Sequence, residues 1–228
     1  MSQTKTVGVI GGMGPSATVE FFRRLVAATP ARADSDHLHI LIDNDPGVPS
    51  RMDAILYGGP SPEPALVKIA KRLETMGADV LAMPCNTAHS FRDAMQAAIG
   101  VPLLDMIGET LTRVYAKRVG LLATSGTVRM RLYHRAFERK GIEIVVPRGA
   151  SQQTVARAIE AIKAGRALPE VAVALAGVVA ELRMAGAEAV IAGCTEISLI
   201  DGTAMSLPWI DALDCLVEAT IREAVPGR

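Results

Sequence analysis

The sequence predicts an α/β protein of two similar, duplicated lobes, each a mainly parallel sheet flanked by helices. Three observations predict it. Short apolar runs alternate with helical patterns from the first residues onward, as they do in parallel sheets covered on both faces. Three sequence blocks occur twice in the same order. Each copy also carries a cysteine just beyond the same apolar run.

Val7-Gly-Val-Ile10 is a short apolar strand that runs into Gly11-Gly12. Ser16 to Val26 reads as a helix, with Phe21, Phe22, Leu25 and Val26 gathered on one face and Pro30 closing it. A second strand is expected at His37 to Ile42, ended by Asp43-Asn-Asp-Pro46. Ala65 to Met76 forms a helix stopped by Gly77, and Val80 to Met83 a buried strand that leads to Cys85.

The second half repeats these signals. Gly77-Ala-Asp-Val-Leu-Ala-Met-Pro-Cys85-Asn-Thr87 lies over Gly186-Ala-Glu-Ala-Val-Ile-Ala-Gly-Cys194-Thr-Glu196, an offset of 109 (194 − 85). Upstream, Val7 to Gly14 lies over Val119 to Gly126; downstream, Val101-Pro-Leu-Leu-Asp105 lies over Leu207-Pro-Trp-Ile-Asp211. Three matches in register point to a gene-duplicated pair of lobes. In open α/β sheets ligands sit beyond the carboxyl ends of the strands, where both cysteines fall. Lobes facing each other about a pseudo-twofold would bring the two thiols to one active site between them.

Composition narrows the function classes. Half the residues are apolar and 21% are charged, so the chain should fold. Lys+Arg and Asp+Glu are 24 each, without the basic excess expected of a protein that binds nucleic acid or an anionic membrane. The apolar run Val171 to Ala180 is too short to span a bilayer, and the N-terminus lacks a signal-peptide pattern. Three cysteines suit neither a disulfide framework nor an oxidising compartment, so a soluble cytoplasmic protein is expected. Cys215, inside an apolar helix pattern, reads as an ordinary core residue. His37, His39 and His134 have no zinc-like spacing, and no metal site is expected.

Two thiols at matched strand ends suit one chemistry in particular. Inverting an amino-acid α-carbon removes a weakly acidic proton from one face and returns one to the other. A thiolate facing a thiol can do both, since a free thiol titrates near pH 8.5. Helix N-termini following each cysteine would stabilise the thiolate form.

Gly11-Gly-Met-Gly-Pro15, Met83-Pro-Cys-Asn-Thr-Ala-His89 and Ala192-Gly-Cys-Thr-Glu-Ile197 resemble the aspartate racemase branch of the aspartate/glutamate racemases, over essentially the whole chain. The resemblance implies racemisation of an acidic amino acid, aspartate before glutamate, with no pyridoxal phosphate or metal, by a homodimer of two-lobed subunits. It implies a first lobe of residues 1–103 completed by a C-terminal helix at 211–228, and a second lobe of 104–210. It makes Cys85 and Cys194 the acid–base pair. Gly12, Met13, Asn86, Thr87 and Thr195 would flank the substrate carboxylate and amine, with Thr124 and Thr127 as hydroxyl donors. Arg51 and Lys163 would hold the substrate's side-chain carboxylate; without the resemblance both would read as solvated surface charges. Glu196 is placed with the substrate-binding residues. The glutamate branch has Asp-Ser where this chain has Gly11-Gly12, and His where it has Glu196, which favours the aspartate branch.

Other readings compete. Gly12-Met-Gly14-Pro-Ser-Ala17 fits a dinucleotide-binding turn, but the acidic residue expected about twenty positions later is hard to place. Cys85 and His89, four apart, suit the nucleophile and base of a thiol hydrolase, but nothing equivalent to His89 follows Cys194. A single-thiol decarboxylase or isomerase would need only one cysteine, and an amino-acid-binding protein neither.

Overall fold

The computed structural model describes residues 4–166 and 168–225. In chain order the elements are β1 (Val7–Gly11), α1 (Pro15–Ala28), β2 (Ile40–Asn44), α2 (Arg51–Tyr57), α3 (Glu63–Thr75), β3 (Val80–Ala82), α4 (Arg92–Ala97), α5 (Met106–Thr112), β4 (Arg118–Leu122), α6 (Ser125–Arg129), α7 (Leu132–Glu138), β5 (Glu143–Val145), α8 (Ala150–Lys163), α9 (Leu168–Met184), β6 (Ala189–Ala192), β7 (Trp209–Asp211) and α10 (Ala212–Ala224). The fold is α/β with two parallel sheets flanked by helices. The chain divides into two units, one running to Met106 and resuming at Leu213, the other spanning Ile107–Ala212. No helix among the described residues is long and apolar enough to cross a membrane.

In the first unit the strand order is β2-β1-β3, with Val7 aligned to Ile40 on one side and to Val80 on the other. Leu81 also bridges Leu103 in parallel, a remnant of a fourth strand. Helix α10 belongs to this unit: the Lys5 amide donates to the Ala224 carbonyl, and Arg24 of α1 pairs with Asp214 at 2.7 Å. In the second unit the order is β5-β4-β6-β7, and the fourth strand is complete.

The repeated blocks have identical backbone duties. Gly77 and Gly186 end α3 and α9 at φ 96° and 88°, and the amides after them, Ala78 and Ala187, donate back to Leu73 and Leu182 at 3.1 and 3.0 Å. A left-handed residue followed by this return bond is the usual glycine stop. The acidic residue that follows hooks the first strand of its sheet. Asp79 accepts from the Thr6 amide at 2.7 Å, and Glu188 from the Arg118 amide at 3.1 Å. The proline blocks agree as well: Leu81 donates to the Pro102 carbonyl at 2.8 Å, Val190 to that of Pro208 at 2.9 Å.

Side-chain alternation then places the cysteines. Leu81, Met83 and Cys85 lie in one apolar cluster with the α3 residues Leu66, Ile69 and Leu73. Their counterparts Val190, Ala192 and Cys194 lie in one cluster with Val155 and Ile159 of α8 and Leu175 and Val179 of α9. Val119, Leu121, Ala189 and Ile191 point to the other face, around Tyr133 and Phe137. Each thiol thus extends the helix-covered face of its strand at the period of two.

Two local expectations need correction. Helix α1 buries Ala17, Thr18, Phe21 and Leu25, while Phe22 and Val26 stay 40% and 38% exposed. Thr18 sets this rotation, because its hydroxyl accepts the Gly12 amide at 3.0 Å and turns that face inward. Strand β2 starts at Ile40, not His37, because residues 34–36 form a 3-10 turn whose Asp36 carboxylate accepts the amides of Arg32 and Ala33.

Candidate active site

In the first unit, adjacent strands β1 and β3 deliver two loops to the carboxyl edge of the sheet. The β1 loop turns at Gly12, whose φ is +88°. An ideal Cβ there would sit 2.4 Å from the backbone of Asp45, so only glycine fits. Met13 is buried in the same apolar cluster as Val48 and Cys85. The β3 loop carries Cys85, Asn86 and Thr87, all nearly inaccessible. Arg51 opens α2, and its guanidinium donates to the carbonyls of Val48 and Pro49 at 3.2 and 3.1 Å.

His89 is buried, and its ring is held at both nitrogens. Nδ1 lies 2.9 Å from the Cys85 carbonyl, while Nε2 accepts the Met106 amide at 3.1 Å. The second contact fixes Nε2 as acceptor and therefore Nδ1–H as donor. Burial pushes the imidazole pKa down, against the pull of the Cys85 carbonyl and Asp105, so the neutral form is favoured. Neither nitrogen is left to take a proton from the Cys85 thiol, which removes the nucleophile–base reading of this pair.

In the second unit, β4 and β6 are neighbours and play the same parts. Thr124 caps α6 by accepting the Thr127 amide at 3.1 Å, and the two hydroxyls are also 3.1 Å apart. Gln152, which the sequence did not single out, donates from Nε2 to the Ala123 carbonyl just before Thr124. Cys194 and Thr195 are buried. The Cys194 Sγ donates to Oε2 of Glu196 at 3.0 Å, and Oε1 of Glu196 lies 3.8 Å from Nζ of Lys163. Glu196 is buried and Lys163 about half exposed, so the ammonium connects this carboxylate to the surface.

The expected helix N-termini are absent. Cys85 is followed by a 3-10 turn at Thr87–Phe91, Cys194 by one at Ile197–Leu199. Such short turns sum few peptide dipoles. Burial first, and then the adjacent Glu196 carboxylate, push the Cys194 pKa well above that of an ordinary thiol, with Lys163 pulling weakly the other way. Cys194 therefore rests as a thiol and hydrogen-bond donor. Among the described residues no group of three or more His, Cys, Asp and Glu is placed to hold a metal ion.

Residues 10–220 match the Asp/Glu/Hydantoin racemase family. The chain belongs to that family. This racemase is 28% identical over 222 residues to the broad specificity amino-acid racemase RacX of Bacillus subtilis (strain 168), covering 94% of this chain and 96% of RacX. Its fold superposes on the Picrophilus torridus aspartate racemase with a TM-score of 0.87 and 32% identity, over 96% of this chain and 94% of the other. An aspartate racemase homologue from Pyrococcus horikoshii OT3 gives 0.77 and 26%, over 96% and 99%. The racemase is thus an isomerase by family, and its two sheets are those of its structural neighbours.

Proposed function

We propose that this racemase interconverts the enantiomers of an acidic amino acid, aspartate first, with Cys85 and Cys194 as the two acid–base groups. The observation that carries the reading is the equivalence of the two thiols. Each is buried and ends an alternating series packed in one apolar cluster, Leu81-Met83-Cys85 after the start of β3 and Val190-Ala192-Cys194 along β6, in matching positions of the repeated blocks. A core cysteine needs no such duplication. The relatives named aspartate racemase and broad specificity amino-acid racemase support the substrate class.

In the proposed cycle the Cys85 thiolate takes the α-proton of one enantiomer while the Cys194 thiol delivers a proton to the opposite face. In the reverse direction the roles exchange: Cys85 must hold a proton, taken from solvent or kept from the preceding forward turnover. Cys194 must have lost its own, which Glu196, already the acceptor of its hydrogen bond, takes. Both thiols must therefore reach one α-carbon. The threonine hydroxyls at 87, 124, 127 and 195, Asn86 and the Gly12-Met13 backbone would bind the α-carboxylate and amine. Arg51 and Lys163 would supply charge to the side-chain carboxylate. The reading includes a cytoplasmic homodimer that needs no added cofactor.

The test is turnover of L- and D-aspartate in deuterated water after dialysis against chelator. The product enantiomer should carry deuterium on its α-carbon, and Cys85→Ser and Cys194→Ser should each lower the rate roughly a thousandfold. Wild-type racemisation by either serine variant would sink the two-thiol reading. Glutamate and alanine in the same assay report the side-chain preference, and light scattering reports the dimer.

A further inference from the structure

The residue four places after each thiol differs between the halves, His89 in one and Ser198 in the other. Both are buried, at 7% and 2% exposure, and both tie the cysteine turn to the same place in their unit. His89 joins the Cys85 carbonyl to the Met106 amide, at 2.9 and 3.1 Å. Ser198 donates from Oγ to Asp211 Oδ1 at 2.6 Å, while the amides of Ile197 and Ser198 donate to the Cys194 carbonyl at 2.9 and 3.3 Å. In one half the imidazole makes both connections; in the other the backbone makes the near one and a hydroxyl the far one.

The far ends correspond. Asp105, the neighbour of Met106 and a charge acting on the His89 ring, is the repeat partner of Asp211. Both aspartates end the proline-containing segment beside the cysteine strand, Leu103 pairing with Leu81 and β7 with β6. Both stand where the chain leaves its unit, after Met106 and after Ala212. Two unrelated side chains thus make one connection twice over, from a buried thiol turn to a chain crossover.

We propose that His89 and Ser198 are matched positioning residues, each clamping its cysteine turn to the crossover end of the neighbouring strand and so fixing where the sulfur points. This rests on the reading of Cys85 and Cys194 as the reacting groups. Acid–base groups in a proton transfer need placement within about half an ångström, and a turn held at one end alone does not provide it.

The test reads each thiol separately. In protein carrying Cys194→Ser and Cys215→Ser, iodoacetamide reports Cys85; with Cys85→Ser and Cys215→Ser, it reports Cys194. His89→Ala should change the Cys85 rate about fivefold or more and leave Cys194 within about twofold; Ser198→Ala should do the reverse. Ser198→Thr, which keeps the hydroxyl, should restore the wild-type rate, and His89→Gln, which keeps an acceptor for Met106, should restore part of it. Circular dichroism fixes the folded fraction. If either alanine variant shifts both thiols together, or shifts neither, the clamps are overturned. With intact cysteines, each alanine variant should lose about tenfold in aspartate kcat with KM little changed, since the clamp acts on sulfur and not on substrate. A loss confined to KM would also overturn it. If wild type racemises neither enantiomer while the alkylation pattern holds, the clamps stand and the proposed reaction falls.

Discussion

The Cys194 Sγ donates a hydrogen bond to Oε2 of Glu196 at 3.0 Å, inside a site where both residues are almost fully buried. A carboxylate so close to a thiol works against thiolate formation, and burial works against it more strongly. The arrangement suits a group that starts as an acid. It also gives the thiol's proton a destination, because the carboxylate that opposes the thiolate can accept that proton. Lys163, at 3.8 Å from the other carboxylate oxygen, offsets part of the negative charge.

Replacing Glu196 with Gln should therefore separate acidity from activity. The Cys194 titration, followed as alkylation rate against pH, should move down toward that of an ordinary thiol, because a repelling charge is gone. Aspartate turnover should nevertheless fall about a hundredfold, since the proton acceptor is gone too. The two enantiomers are equally stable, so kcat/KM must fall equally in both directions. An unshifted Cys194 profile would remove Glu196 from the proton path.

Lys163→Met tests which of two partners the ammonium serves. If it binds the substrate's side-chain carboxylate, aspartate KM should rise about tenfold while alanine turnover barely changes. If it acts only through Glu196, both substrates should lose kcat alike and the Cys194 titration should move further up, since the Lys163 charge lowers it. Steady-state kinetics on the two amino acids decides between them.

Much of the fold was legible because the repeated residues do backbone work. Gly77 and Gly186 stop helices, Asp79 and Glu188 hook strands, and Pro102 and Pro208 precede the same parallel pairing, so each pair survived duplication as a visible match. The thiol positions followed from that register. What stayed hidden was set by side-chain direction. The inward face of α1 depends on one bond between Thr18 and Gly12. Glu196 lies two residues from Cys194, and only the turn's geometry aims its carboxylate at the sulfur. Ser198 sits at the offset that matches His89, which was the available signal, but serine and histidine share no sequence likeness. Gln152 lies in an α8 pattern that marks it as ordinary helix surface.

Gly12→Ala should cost stability outright. The backbone there is left-handed, and the added Cβ would meet the Asp45 carbonyl at 2.4 Å, a group of the main chain that has no rotamer to move away. Strain and clash together should remove about 2–4 kcal/mol, read as a lower urea midpoint with unchanged slope. A wild-type midpoint would mean that the β1 loop relaxes freely and is not a fixed wall of the site.

His89 gives stability a pH dependence with a definite sign. Burial lowers its folded pKa, so the unfolded chain, titrating near 6.5, binds the proton more readily. Above that value both states are neutral and the buried ring costs nothing. As pH falls below it, the unfolded state gains protons first, and stability drops by up to about 1.4 kcal/mol per pH unit until the folded ring titrates as well. Asp105 opposes this fall and Arg92 adds to it, and both remain when the ring is replaced. His89→Gln should therefore be less stable than wild type at pH 8, where two hydrogen bonds are disturbed, yet lose less between pH 7 and pH 5. Urea unfolding at the three pH values gives both numbers. Parallel pH curves for the two proteins would show that the imidazole is protonated without penalty in the folded state, contrary to an Nε2 that must accept the Met106 amide.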